Sequence, residues 1–220
     1  MHPFMNRKCC MSVLGRVYRF VADMNDKRFV RLPADVLDEL RAALFCLPEA
    51  FTDVRAPIQT RIWCSDATPE SAGTVHAEVS RAFSRALFDH SEHAGEYTRL
   101  DWSEVSRLLS PWEGPVLPDR LRLALKAANW HVGHSLRFRE TSHVNLQEAR
   151  ALRLVIRRCA AESNAGFRII VIVDSRVVLG AFSKGRSSSS RLNSILRSCL
   201  GYFLLAGISV HLCWVVVGEC

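Results

Sequence analysis

The run FRIIVIVDS, residues 167–175, limits the possible folds of this chain more than any other stretch. Residues 169–173 are consecutive β-branched aliphatics, the residue type that fits a pleated strand best. Strand side chains alternate between two faces, so such a run must be covered on both. That is the situation of a central strand, usually parallel to a neighbour, in a sheet flanked by helices. The covers are visible on either side. In VNLQEARALRLVIRRCA (144–160), Ala149, Leu152, Val155, Ile156 and Cys159 share one helical face. Leu192, Ile195, Leu196, Cys199, Leu200, Phe203 and Leu204 form a second stripe, closed by Gly207. ISVHLCWVVV reads as a last strand, and RIWCSD (61–66) as a first strand with a return at 73–79. Helices alternating with buried strands predict an α/β sheet.

Upstream, residues 11–24 carry apolar residues at helical spacing, and a second helix begins at Pro33 with Val36, Leu37, Leu40 and Leu44 on one face. These predict a helical appendage over residues 1–58 and a main domain over 59–220. Residues 80–141 hold short helical patterns, Trp102, Trp112 and many charges, and read as an insertion. KGRSSSS (184–190) reads as a flexible basic loop.

The chain has 220 residues, 49% of them hydrophobic, and a formal charge of +7. That is globular composition, with a basicity compatible with a polyanionic partner. Its eight cysteines show no C-x-x-C spacing and several sit in apolar runs, which predicts reduced thiols in an intracellular protein, cytoplasmic or nuclear. The run FLLAGISVHLCWVVVG is interrupted by Gly207, Ser209 and His211 and is too short for a membrane span. No N-terminal apolar signal segment is expected from MHPFMNRKCC.

Three acids stand where chemistry is done on such sheets. Asp66 ends the first strand, Asp174 ends the buried strand, and Glu148 opens the helix between them. If the two strands are neighbours, their ends lie about 5 Å apart, and a helix crossing them can bring in Glu148. Carboxylates that close raise one another's pKa, and a hard cation such as Mg²⁺, bound by a few carboxylates and water, removes the conflict. Each acid also has an ordinary explanation. Asp66 can start an Asx-turn. Asn145 and Glu148 can form a capping box. Asp174 can sit at a helix end, although Ser175 would serve there without a charge.

DATPESAG, HVNLQEARAL, IIVIVDSRVVLGAFSKGRSSSSRLN and HLCWV together resemble the ribonuclease H domain attached to retrotransposon reverse transcriptases, of the tyrosine-recombinase and dinoflagellate-like kind. The resemblance implies a five-stranded mixed sheet with helices, a ribonuclease H-like fold. It implies a nuclease that hydrolyses the RNA strand of an RNA–DNA hybrid with two Mg²⁺ ions, for which Mn²⁺ can substitute, leaving 3′-hydroxyl and 5′-phosphate ends. In that likeness Asp66 bridges both metals, Glu148 holds one near the 2′-hydroxyl, and Asp174 holds the other or orients the water. HPFMNRKCCMSVLGRVYRFV and LPADVLDELRAAL look like the tether that follows the polymerase domain in such a polyprotein, which would be the partner domain.

The family's fourth acid lies beyond the last strand, and this chain stops at Cys220 with only Glu219 beside that strand. A truncated fragment with weak or no hydrolase activity is therefore expected. Gly73, with no side chain to obstruct a backbone, and Arg176, Lys184, Arg186, Arg191 and Arg197 are the candidate nucleic-acid contacts. A solvated basic face is the alternative. The other readings are a non-catalytic nucleic-acid-binding remnant, an inert fragment, and an integrase-type relative, in which the glutamate comes last. SKGRSSSS lacks P-loop spacing, His131, His134 and His143 lack a cysteine partner for zinc, and no G-x-S-x-G elbow is present.

Overall fold

The structure is a computed structural model, and it describes residues 3–24, 29–93, 116–162 and 166–215. Strand β1 (Ile58–Ala67) pairs antiparallel with β2 (Ser71–Glu78), which pairs antiparallel with β3 (His131–Arg137). On its other side β1 pairs in parallel with β4 (Arg168–Val173), and β4 in parallel with β5 (Ser209–Trp214). The result is one five-stranded mixed sheet in the order β3-β2-β1-β4-β5. The chain is thus an α/β protein with flanking helices.

Among the described residues the α-helices are α1 (Pro3–Asn6), α2 (Gly15–Asp23), α3 (Ala34–Cys46), α4 (Arg81–Asp89), α5 (Asp119–Lys126), α6 (Val144–Ala161), α7 (Arg176–Lys184) and α8 (Ser190–Leu205). Strand β4 lies between two apolar layers, as its composition requires. Ile169, Val171 and Val173 face Leu152, Val155 and Ile156 of α6 and Leu192 of α8. Ile170 and Ile172 face Leu87 of α4 and Leu121 and Leu125 of α5. All five strand residues are at most 3% exposed, so this strand is the centre of the core.

Several patterns resolve differently from their sequence reading. The segment 80–141 is not wholly an insertion, because residues 131–137 are a strand of the main sheet. Strand β3 is an edge strand, exposed on both faces along nearly its whole length, so no apolar alternation marks it. Trp102 and Trp112 lie outside the described residues. The pattern over residues 11–24 splits into a 3₁₀ segment, Lys8–Leu14, and α2. Helix α7 is a separate element between β4 and the serine-rich segment, which sequence periodicity did not reveal because it spans only nine residues.

Helix α3 turns the other way from its apolar stripe. Val36 is buried, but Leu37, Leu40 and Leu44 are exposed. The inward side carries Glu39 instead, whose carboxylate accepts from the backbone N–H of Arg16 and Val17 and pairs with Arg197 at 2.8 Å. Those donors are the orphan amides at the start of α2, and capping them holds α3 in this orientation. The N-terminal segment docks on α8. Asn193 Nδ2 donates to the Ser12 carbonyl at 2.8 Å, and Phe4, Met11, Leu14 and Cys46 pack with Leu200 and Leu204. No helix among the described residues is long and apolar enough to cross a membrane.

Candidate active site

Asp66 and Asp174 are brought together by the register of two parallel strands. Cys64 is partnered by Ile172, and each aspartate lies two residues further on, so both stand at the carboxyl ends of these neighbouring strands. Adjacent strands stand about 4.8 Å apart. Asp66 is exposed, and its Oδ1 accepts from the Ala67 N–H at 2.7 Å. Asp174 is held from both sides. Ser175 caps α7 by accepting from Val178 N at 3.3 Å, and Trp214 Nε1 donates to the Asp174 carbonyl at 2.9 Å.

Glu148 is the fifth residue of α6, and the helix is aimed by its neighbours. Gln147 is fully buried. Its Nε2 donates to the carbonyls of Pro69, in the β1–β2 turn, and Glu140, each at 3.1 Å, while its Oε1 accepts from Arg150. Ala149 and Leu152 seat the same turns on the sheet core. The capping-box reading of Glu148 is corrected. The N-cap is His143, whose Nδ1 accepts from Asn145 N, and the Asn145 side chain instead accepts from Ser175 Oγ at 3.2 Å. Glu148 is thereby left free of the cap and directed toward Asp174.

The electrostatics follow from that crowding. Glu148 is pushed up to about 8, by burial first and then by the charge of Asp174, a hydrogen bond to Asp174 and the charge of Asp66; the Ser175 hydroxyl opposes the shift. Asp174 is also raised, by burial and then by Asp66, while Glu148 and the N–H groups of Asp174 and Ser175 pull it back. Asp174 Oδ1 is buried and accepts no hydrogen bond. The charges of Asp66 and Asp174 therefore reach Glu148, and that of Asp66 reaches Asp174. Among the described residues, however, no group of three or more His, Cys, Asp or Glu side chains closes on a common point as a metal-binding set.

No protein-family model matches this chain. No curated protein and no solved structure matches it either.

The candidate contact residues separate into two groups. Gly73 is the partner of Asp66 across the β1–β2 pair and is exposed; a Cβ there would meet nothing within 4 Å, so the surface beside Asp66 is open. The Arg176 guanidinium lies 4.2 Å from the Trp214 ring centroid, two residues after Asp174 in the chain. Lys184 stands at the other end of α7, about 12 Å away at 1.5 Å per residue. Arg186 stacks on Tyr18 at 4.5 Å, and Arg191 is exposed on the first turn of α8. Arg197 is committed to the Ser12 and Val13 carbonyls and Glu39, which corrects its reading as a phosphate contact.

The serine-rich segment is also built rather than loose. Ser189 caps α8, Ser187 N donates to Asn193 Oδ1 at 3.1 Å, and Ser189 N donates to Ser187 Oγ at 3.2 Å. The positioning residues not anticipated from sequence are Gln147 and Asn145. A glutamine inside an apolar stripe was the only available sign of the first.

Proposed function

We propose that this chain is a ribonuclease H-like domain of retroelement type that hydrolyses the RNA strand of RNA–DNA hybrids. The observation that carries the reading is the meeting of Asp66, Glu148 and Asp174, from β1, α6 and the end of β4, at one pole of a sheet ordered β3-β2-β1-β4-β5. The order of acids along the chain and their elements agree with the resemblance carried by DATPESAG, HVNLQEARAL and the VDS stretch.

The donor set fits a hard divalent cation. All three groups are carboxylates, two of them raised by burial first and then by neighbouring carboxylate charge, and one buried oxygen lacks a partner. Asp66, Glu148 and Asp174 would hold Mg²⁺, with Mn²⁺ as a substitute, and a bound pair of ions would activate water and stabilise the departing 3′-oxygen. The protein's own contributions are distinct. Glu148 would release its proton to become a ligand, the backbone N–H groups of Asp174 and Ser175 favour the ionised Asp174, and Gln147 fixes the approach of α6. The open backbone at Gly73 admits a strand beside Asp66. Arg176 supplies positive charge next to the acids, while Lys184, Arg186 and Arg191 extend it for phosphate contacts further along the duplex. Residues 1–58 serve as the segment connecting to a polymerase domain.

A second reading is a nucleic-acid-binding module without turnover. It is favoured by the carboxylates not closing on one point. One experiment separates the two. Purified chain is incubated with an RNA-labelled hybrid in Mg²⁺ or Mn²⁺, beside Asp174→Asn. The hydrolase reading expects RNA cleavage leaving 3′-hydroxyl and 5′-phosphate ends, lost in the variant. Salt-sensitive hybrid binding with no cleavage in either metal overturns it in favour of the binding module.

A further inference from the structure

Away from the acid cluster, the outer side of α3 carries an apolar stripe that the fold leaves in solvent. Leu37, Leu40, Leu44 and Leu47 follow one another at intervals of three, four and three residues, which puts them on one side of a helix. Leu47 lies just past the last residue of α3 but keeps helical angles, φ −60° and ψ −43°, so the stripe is continuous. Leu44 is 65% exposed and the other three are 37–43% exposed. Most of the large apolar side chains exposed among the described residues fall between positions 21 and 54, around this helix. We propose that the stripe is a dimerisation surface, on which a second copy of this chain packs its own α3 antiparallel about a two-fold axis. The inference is independent of the nuclease reading.

The exposure of the leucines is enforced by the rest of the chain. The buried residues of α3 are Val36, Glu39 and Cys46, centred about 100° around the helix from the leucines at 3.6 residues per turn. Rolling the helix by that angle would bury the leucines. Glu39 prevents the roll. Its carboxylate accepts from the N–H groups of Arg16 and Val17 and pairs with Arg197, which also donates to the Ser12 and Val13 carbonyls. A carboxylate facing inward while leucines face water is unfavourable for a single chain, and covering the leucines offsets that cost.

Spacing, area and charge point to a second copy as the cover. The three-four-three spacing reads the same in both directions along the helix. With a two-fold axis through position 42, Leu37 lies opposite Leu47 of the second copy and Leu40 opposite Leu44, so every leucine meets a leucine in an isologous contact. The stripe leaves on the order of 300 Å² uncovered on each chain, and the two together supply the apolar half of an interface of about 1,200 Å², the lower end of the specific range. That size fits a reversible dimer formed at micromolar concentration. Although the whole chain is basic, α3 carries Asp35, Asp38 and Glu39 against Arg41 alone, which disfavours an anionic lipid surface or a nucleic acid on this side. The charges beside the stripe are already paired within the chain, Arg41 with Asp38 at 2.9 Å and Arg16 with Asp35 at 3.6 Å, so closing the interface strands no lone ion.

Sedimentation equilibrium of the full chain under reducing conditions, from about 1 μM to about 200 μM, tests the proposal. The expected result is a reversible monomer–dimer equilibrium. Leu44→Lys, which sets a charge against Leu40 of the second copy, should weaken association at least about tenfold, and Leu44→Ala should weaken it several-fold. Both variants should keep the thermal transition of the monomer at the lowest concentration, because position 44 is exposed. Leu123→Lys, at an exposed leucine on α5, should leave the equilibrium unchanged. A chain monomeric at every concentration, association insensitive to both Leu44 variants, or equal loss in Leu123→Lys would each overturn the proposal. So would a monomer that instead binds phosphatidylcholine vesicles and loses that binding in Leu44→Lys.

Discussion

Glu148 stands beside Asp174, close enough that each carboxyl shifts the titration of the other. Burial and the two neighbouring aspartates raise Glu148 to about 8. The folded chain therefore binds a proton there that the unfolded chain releases near 4.5. Between those values stability falls as pH rises, and above about 8 the ionised form is carried at a cost.

That sign gives a first prediction for the metal-free protein. Glu148→Gln, which resembles the protonated acid, should leave the melting temperature nearly unchanged at pH 5 and raise it by a few degrees at pH 9, a shift on the order of 1 kcal/mol. Thermal unfolding of both proteins across this range measures it. An equal effect at both pH values would mean that Glu148 is not raised.

Gln147 bridges the β1–β2 turn and the segment before α6 through two carbonyls. Gln147→Ala should cost about 1–3 kcal/mol, because it leaves buried acceptors unpaired. Urea unfolding checks that figure. If the hydrolase reading holds, hybrid cleavage should also fall more than the stability loss explains, since Glu148 loses its aim.

The docking of the N-terminal segment has its own test. Gly185 has φ +71° and a Cβ there would fall 1.8 Å from the Lys8 carbonyl oxygen. Gly185→Ala should therefore destabilise by more than about 1 kcal/mol and expose residues 3–14 to limited proteolysis ahead of the sheet core. Unchanged cleavage order would show that the contact is dispensable.

Half-buried His211 provides a fourth. Burial, then the charges of His93 and Arg168, lower it to about 4. Its folded value lies below its unfolded value near 6.5, so the neutral ring contributes stability that is present above 6.5 and lost as pH falls toward 4. Imidazole chemical shifts followed by NMR should show no protonation of His211 until well below pH 6.

The parts of this molecule that were legible in the sequence are those where one physical demand dominates. Residues 169–173 are apolar on both faces and form the central strand between two helical layers. Asp66 and Asp174 interrupt apolar strands at their ends, which made their shared pole readable from topology. The illegible parts are those where polar contacts outweigh apolar ones. Glu39 turns α3 inward at the expense of Leu37, Leu40 and Leu44, and no local pattern anticipates a carboxylate capping a distant helix. Strand β3 is an edge with polar residues on both faces, so it carries no alternation. His143 rather than Asn145 caps α6 because Asn145 is drawn to Ser175.

The central claim is that Asp66, Glu148 and Asp174 act together on divalent ions. Binding of Mn²⁺ to the purified chain, followed by electron paramagnetic resonance or calorimetry, tests it most directly. The account predicts saturable binding, with proton release near pH 7 as Glu148 ionises, at least about tenfold weaker in each of Asp66→Asn, Glu148→Gln and Asp174→Asn. Binding of equal strength in all three variants, or none at millimolar Mn²⁺, would contradict it.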